Sequence, residues 1–251
     1  MCTVVVLLRP GHPWPVLIAA NRDEMLTRPW QPPAAHWPDR PGVVAGLDEL
    51  AGGSWLGINR EGVVAGILNR RYSLGPASGM RSRGELVLEA LDHADARAAA
   101  EALTHLDQRA YRTFNLVIAD NAEAFWLRNR TGAHRVELFP LPSGISMITA
   151  YDRNDRASAR IRNYLPFFEA APAPDPERGD WSTWQSLLAG RSRGPEEDGS
   201  ESAMCVVTER GFGTSSSSLI ALPSRDLTGT RPIWLFAAGP PGDTPYSPVV
   251  L

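Results

Sequence analysis

The sequence predicts an α+β protein, a four-layer αββα sandwich of two antiparallel sheets, and three observations carry that expectation. Strand-like and helix-like runs come in the order strands, two helices, strands, two helices, strands, which suits two stacked sheets covered by helices. The first run, Thr3 to Leu8 (TVVVLL), is unbroken and β-branched, the pattern of a strand covered on both faces. With 251 residues and 43% hydrophobic composition the chain can bury one substantial core, so one domain over residues 1–251 is expected.

Pro10, Gly11, His12, Pro13 and Pro15 make a turn region, and Val16 to Ala20 (VLIAA) is a second strand, so the two runs read as a hairpin. A turn centred near Gly11 and His12 sets residue 2 opposite residue 21 or 22. Asn21, Arg22 and Asp23 then stand beside Cys2. Val43 to Gly46, Ser54 to Ile58 and Val63 to Leu68 read as a continuing antiparallel sheet, with a turn over residues 59–62.

Ser82-Arg83-Gly84-Glu85 has capping-box spacing, and Leu86, Val87, Ala90, Leu91 and Ala94 share one helical face, which predicts a helix over 83–94. An Ala-rich helix is expected over 95–106, then strands at Phe114 to Ala119, Ala124 to Leu127, Val136 to Phe139 and Ile145 to Thr149. Ile161, Tyr164 and Leu165 suggest a third helix interrupted by Pro166, and Trp181, Trp184, Leu187 and Leu188 a fourth, capped by Asp180. A mobile polar loop is expected over 191–202, with strands at Met204 to Val207, Ser217 to Leu222 and Ile233 to Phe236.

Composition excludes several functions. A formal charge of -3 supplies no basic field for nucleic acid or anionic lipid. All 25 basic residues are Arg, which removes Schiff-base lysine chemistry and a P-loop lysine. Two cysteines, Cys2 and Cys205, are too few for a disulfide framework and lack metal-ligand spacing, so no metal site and a reducing, cytoplasmic setting are expected. The run Val4 to Leu8 is too short for a signal segment or a membrane span, so no stable membrane insertion is expected.

The chemistry-bearing constellation lies at the start of the chain. Removal of the initiator Met before a small residue leaves Cys2 with both a thiol and a free α-amine. An amine with pKa about 7.7 to 8.0 is a usable base, and a thiol near 8.5 needs modest help to ionise. Arg22 would lower the thiol pKa and the Asp23 carboxylate would orient the ammonium. The bland alternative is that Cys2 is a small buried hydrophobe and residues 21–24 a salt-bridged strand end.

Met1-Cys2-Thr3, the Arg9 to Pro13 turn and Ala19-Ala20-Asn21-Arg22-Asp23-Glu24 together resemble the opening of the NRDE family, which includes the eukaryotic transport-and-Golgi-organisation protein two. The resemblance continues through Arg28-Pro29, Trp37, Gly52 to Gly57 (GGSWLG), Leu68-Asn69, Ser82-Arg83-Gly84, Phe114 to Val117 (FNLV) and Gly213 to Ser217 (GTSSS), covering essentially the whole chain. It implies an N-terminal-nucleophile hydrolase-like fold, similar to the cholylglycine and penicillin V hydrolases, with Cys2 as nucleophile and Arg22 and Asp23 in contact with it. Glu24 replaces Asp23 if the register differs. The chain departs from that pattern where many members carry Ser-Asn-Ala and this sequence reads Thr149-Ala150-Tyr151.

Asn69 and Asn115, at strand ends, could each offer an amide donor to an oxyanion, though Asn there is more often a turn residue. Asn21, Glu24, Trp37, Trp55 and Asn115 are candidates for substrate binding, with Trp14 and Trp30 completing an apolar rim around Cys2; Trp is also an ordinary core filler. Neither Gly53-Ser54-Trp55 nor the Ser215 to Ser218 run completes G-x-S-x-G, and Gly211-x-Gly213 is no dinucleotide fingerprint. The five His residues show no metal-ligand spacing, although His12 and His36 could line a pocket or bind haem. Two functions are carried forward: an amide or thioester hydrolase of a small acylated substrate, needing no cofactor, and a non-catalytic carrier of haem, acyl-coenzyme A or lipid, which the eukaryotic relatives' links imply.

Overall fold

The computed structural model describes residues 2–192 and 202–251. They form two compact units, one from Met1–Arg28 with Pro142–Val250, the other from Pro29–Leu141 with Leu251. The loop expected over 191–202 lies largely outside the described residues.

In the first unit, β1 (Thr3–Leu8) and β2 (Val16–Met25) form the expected hairpin, and Arg9 N–H donates to the Pro15 carbonyl across its turn. The register runs from Leu8 opposite Val16 to Thr3 opposite Asn21. One further step sets Cys2 against Arg22, within the expected range. β1 is flanked on its other side by β10 (Gly144–Ile148), and β2 by β11 (Phe212–Leu222), followed by β12 (Ile233–Ala237) and β13 (Ser247–Pro248).

Helices α3 (Ala159–Ala170) and α4 (Ser182–Leu188) cover one face of this six-stranded sheet. Val5, Leu17, Ala19, Met147, Leu219 and Ala221 meet Ile161, Phe168, Trp184 and Leu188 there. Cross-strand partners share a face and neighbours along a strand alternate. Thr3, Asn21 and Asp23 therefore point towards the helices, while Cys2 and Arg22 point from the opposite face.

The second unit holds a seven-stranded antiparallel sheet in sequence order: β3 (Trp30–Ala34), β4 (Val43–Asp48), β5 (Leu56–Asn59), β6 (Val64–Asn69), β7 (Phe114–Ala119), β8 (Ala124–Asn129) and β9 (Glu137–Pro140). Helices α1 (Glu85–Leu91) and α2 (Ala96–Leu103) pack on one face, with Leu86, Leu91 and Ala99 against Ala45, Ala65, Leu116 and Leu127. The chain thus leaves the first sheet after β2 and builds the second of the two expected sheets, where the sequence suggested that the strands over 43–68 continue the hairpin's sheet.

Several local expectations are corrected. Ser82 is not the cap of α1: Gly84 holds that position, and the Glu85 carboxylate accepts from Tyr111 Oη at 2.6 Å. Asp95 does cap α2, accepting from Ala98 N–H at 2.7 Å. Pro166 does not interrupt α3; its missing N–H costs one bond, and packing of Ile161, Tyr164, Leu165 and Phe168 holds the helix through it. Asp180 accepts from Ser182 N–H instead of occupying the cap of α4, which Trp181 holds. Residues 204–207 form no strand beyond a bridge from Val207 to Gly213. The sequence reading missed β3, whose two prolines suit a strand at a sheet edge.

Candidate active site

The Cys2 Sγ lies 3.6 Å from the Asp23 carbonyl oxygen, to which it donates. The residue is partly exposed, yet packing around the sulfur pushes its pKa up, and the Asp23 carboxylate adds to that. The positive amino terminus, a hydrogen bond with the Asp23 backbone and Arg22 oppose the rise without cancelling it. Across the other neighbouring strand, extension of the β1–β10 register sets Ala150 beside Cys2. Ala150 is 3% exposed and offers no polar side chain there.

Asp23 is held on the helix side by residues far away in sequence. Its Oδ2 forms an ion pair of 2.9 Å with Arg160 Nη1, with side chains 0% and 1% exposed. Its Oδ1 accepts from Thr214 Oγ1 at 2.7 Å. Burial disfavours the carboxylate, but the amino terminus, Arg160 and the Thr214 hydroxyl outweigh burial and hold its pKa below the usual carboxylate range. The same Arg160 nitrogen donates to Thr3 Oγ1 at 2.7 Å, so one guanidinium ties together β1, β2 and α3.

Arg22 Nη1 donates to Ser215 Oγ at 2.9 Å, and Ser215 Oγ donates to the Arg22 carbonyl at 3.2 Å. Asn21 directs its amide into the protein: both hydrogens are engaged, by the Leu188 and Met204 carbonyls at 2.9 Å each, and its Oδ1 accepts from Ser217 Oγ at 2.6 Å. In this arrangement Asn21 anchors α4 and the segment around Met204. Glu24 is partly exposed, accepts from Met25 N–H at 2.8 Å, and pairs with Arg28 at 3.9 Å.

The remaining candidates, Trp14 apart, belong to the second unit. Asn69 closes β6, opposite Phe114. Asn115 is fully buried, and its Oδ1 accepts from Arg70 Nη1 at 2.7 Å and Trp126 Nε1 at 3.1 Å, which fixes the orientation of the amide. Trp55 stacks edge-on with Trp30 at 5.7 Å and lies on Gly46, where a Cβ would meet the ring at 2.3 Å. Trp37 donates to the Gly52 carbonyl at 3.3 Å. Trp14 is corrected: it is buried in the core between sheet and helices, on the face opposite Cys2.

Sequence reasoning missed Arg160, Thr214 and Ser215. Arg160 carried a signal, because it stands one turn before Tyr164 on the apolar stripe of α3, where a charge needs a partner. Thr214 and Ser215 were visible only as part of a hydroxyl-rich strand. Among the described residues, no cluster of three or more His, Cys, Asp or Glu side chains is placed to hold a metal ion, and no helix is long and apolar enough to cross a membrane.

Comparison with solved structures identifies the fold class. The chain aligns with a Caenorhabditis elegans N-acylethanolamine-hydrolyzing acid amidase ortholog at a TM-score of 0.56 and 13% identity, covering 87% of this chain and 92% of that one. A cysteine-to-alanine mutant of the conjugated bile acid hydrolase from Clostridium perfringens aligns at 0.55 and 12%, covering 99% and 92%. The fold is that of the N-terminal-nucleophile hydrolases, in the α+β class expected from the sequence. A family model described as Transport and Golgi organisation 2 matches residues 1–165, and the chain belongs to that family. Curated relatives are the Transport and Golgi organization protein 2 homologs of Bos taurus, 37% identical over 115 residues, and Homo sapiens, 33% over 114. These matches cover 42% and 43% of this chain but only 38% and 40% of the relatives.

Proposed function

We propose that the chain is an N-terminal cysteine hydrolase that, after loss of Met1, cleaves the amide or thioester bond of a small acylated substrate. The observation that supports this most is the Cys2 thiol set 3.6 Å from the backbone of Asp23, whose carboxylate is kept ionised by a buried guanidinium. The α-amine of Cys2 takes the Sγ proton and the thiolate adds to the acyl carbon. The C–N or C–S bond then breaks, the leaving group takes the proton from the ammonium, and a thioester to Sγ remains. Water, deprotonated by the same amine, releases the acid and restores the thiol. Asp23 stabilises the ammonium and Arg22 the thiolate.

Two observations favour a second reading, a non-catalytic carrier of an acyl-coenzyme A, a lipid or haem. Burial pushes the Cys2 thiol away from the ionised form, and Ala150 supplies no side-chain amide beside it. Intact mass of the protein purified from its own host, followed by a screen of acyl-amide and thioester substrates, separates the two. The hydrolase requires Met1 to be absent and turnover to vanish in Cys2→Ala. Retained Met1 removes the amine and overturns it, while ligand binding that survives Cys2→Ala without any turnover supports the carrier.

A further inference from the structure

We propose that Ser215 is a positioning residue of the Cys2 site, using a bulge in β11 to hold the Arg22 guanidinium beside the nucleophile. The pairing of β2 with β11 shifts by one residue between Thr214 and Ser216, so Ser215 and Ser216 together oppose Arg22. Bulges of this kind re-aim side chains next to functional sites. Here the extra residue carries a short hydroxyl that reaches both ends of one arginine. Ser215 Oγ donates to the Arg22 carbonyl at 3.2 Å and accepts from Arg22 Nη1 at 2.9 Å, with the two residues 6% and 5% exposed.

That double contact closes a ring through the arginine's own side chain. A free Arg side chain holds roughly 2 kcal/mol of rotamer entropy, so it stays directed only where fixed partners offset that. The neighbouring hydroxyls have other duties. Thr214 bonds Asp23 and receives Val206 N–H, and Ser217 bonds Asn21 and Tyr246. Each of the three hydroxyls therefore serves one residue of the Asn21-Arg22-Asp23 sequence. Only the one at Ser215 acts on the side chain that shares a face with Cys2.

The charged groups acting on the thiol are Asp23 and Arg22 from β2 and the positive amino terminus, while Ala150, opposite on β10, is neutral. Of the two charged β2 side chains only Arg22 favours the thiolate, and loosening it moves the thiol pKa upward. This inference rests on Cys2 being the nucleophile, but its test needs no substrate.

The experiment is the pH profile of Cys2 alkylation by iodoacetamide on the full chain, with the Cys2 and Cys205 peptides separated by mass. In Ser215→Ala the midpoint should rise by about half a unit to one unit, with about three- to tenfold slower alkylation at neutral pH. Ser215→Thr, which keeps the hydroxyl, should follow the parent, and Arg22→Met should shift at least as far as Ser215→Ala. A Ser215→Ala profile that superimposes on the parent overturns the proposal, even where stability falls. So does an unmoved profile in Arg22→Met. Because alkylation reads the thiol directly, a chain that hydrolyses nothing can still show the shift, and an active hydrolase can still fail to show it.

Discussion

Arg160 and Asp23 form a 2.9 Å ion pair in which both side chains are sealed from solvent. The pair joins α3 to the strand that runs beside the nucleophile, between residues 137 positions apart in the sequence. Removing one partner leaves a buried charge without its counterion.

Arg160→Met should therefore lower stability by about 3–5 kcal/mol in urea unfolding, and Asp23→Leu in the same chain should recover much of it. The pH dependence follows from the depressed Asp23 pKa. The stabilisation is complete above the unfolded carboxylate value of about 3.9 and is lost as the pH falls through the lower folded value. The parent's unfolding free energy should drop over that acid range more steeply than that of the double variant.

Asn21→Ala should cost about 2 kcal/mol or more, because it strips partners from the Leu188 and Met204 carbonyls and from Ser217 at once. Denaturation midpoints measure this. A cost near zero would show that water replaces the amide.

Gly53→Ala tests a close backbone approach in the second unit. A Cβ at Gly53 would stand 2.4 Å from the Gly84 carbonyl carbon, where Ser54 N–H donates to Gly84 O at 3.0 Å. Neither backbone can rotate away as a side chain would, so a loss of about 1–3 kcal/mol is expected in thermal or urea unfolding.

Tyr246 is pushed up to about 12 by burial, with Ser217 opposing. Its neutral form belongs to the folded state, so its contribution is complete below the unfolded value of about 10 and is lost as the pH rises towards 12. Tyr111 and Tyr164 are raised by burial as well, so tyrosinate absorbance should show one fewer late-titrating group in Tyr246→Phe. An unchanged titration would contradict the burial.

The Gly213-Thr214-Ser215-Ser216-Ser217 run illustrates how a motif can be legible as text and opaque as chemistry. Its apolar continuation, Leu219 to Leu222, marked a strand, but no local pattern said which hydroxyl met which partner. The bulge arises from a mismatch between β2 and β11 and exists in neither strand alone. The helix ends were misread for a related reason. Ser82 and Asp180 carry capping chemistry, yet their neighbours took the cap positions, because where a helix begins depends on which turn packs against the sheet.

What the sequence determined by itself was the α+β class, the β1–β2 hairpin and the placing of Asn21, Arg22 and Asp23 beside residue 2. A strand's burial pattern and the length of a turn are local properties, and together they set the register. Tertiary structure alone decided that Asp23 is paired with Arg160 and Thr214, that Ser215 holds Arg22, and that Asn21 faces the helices. These depend on contacts between residues well over a hundred positions apart, for which no spacing in the chain is diagnostic. They form because a buried charge or amide must find partners among whatever groups the packed elements bring to it.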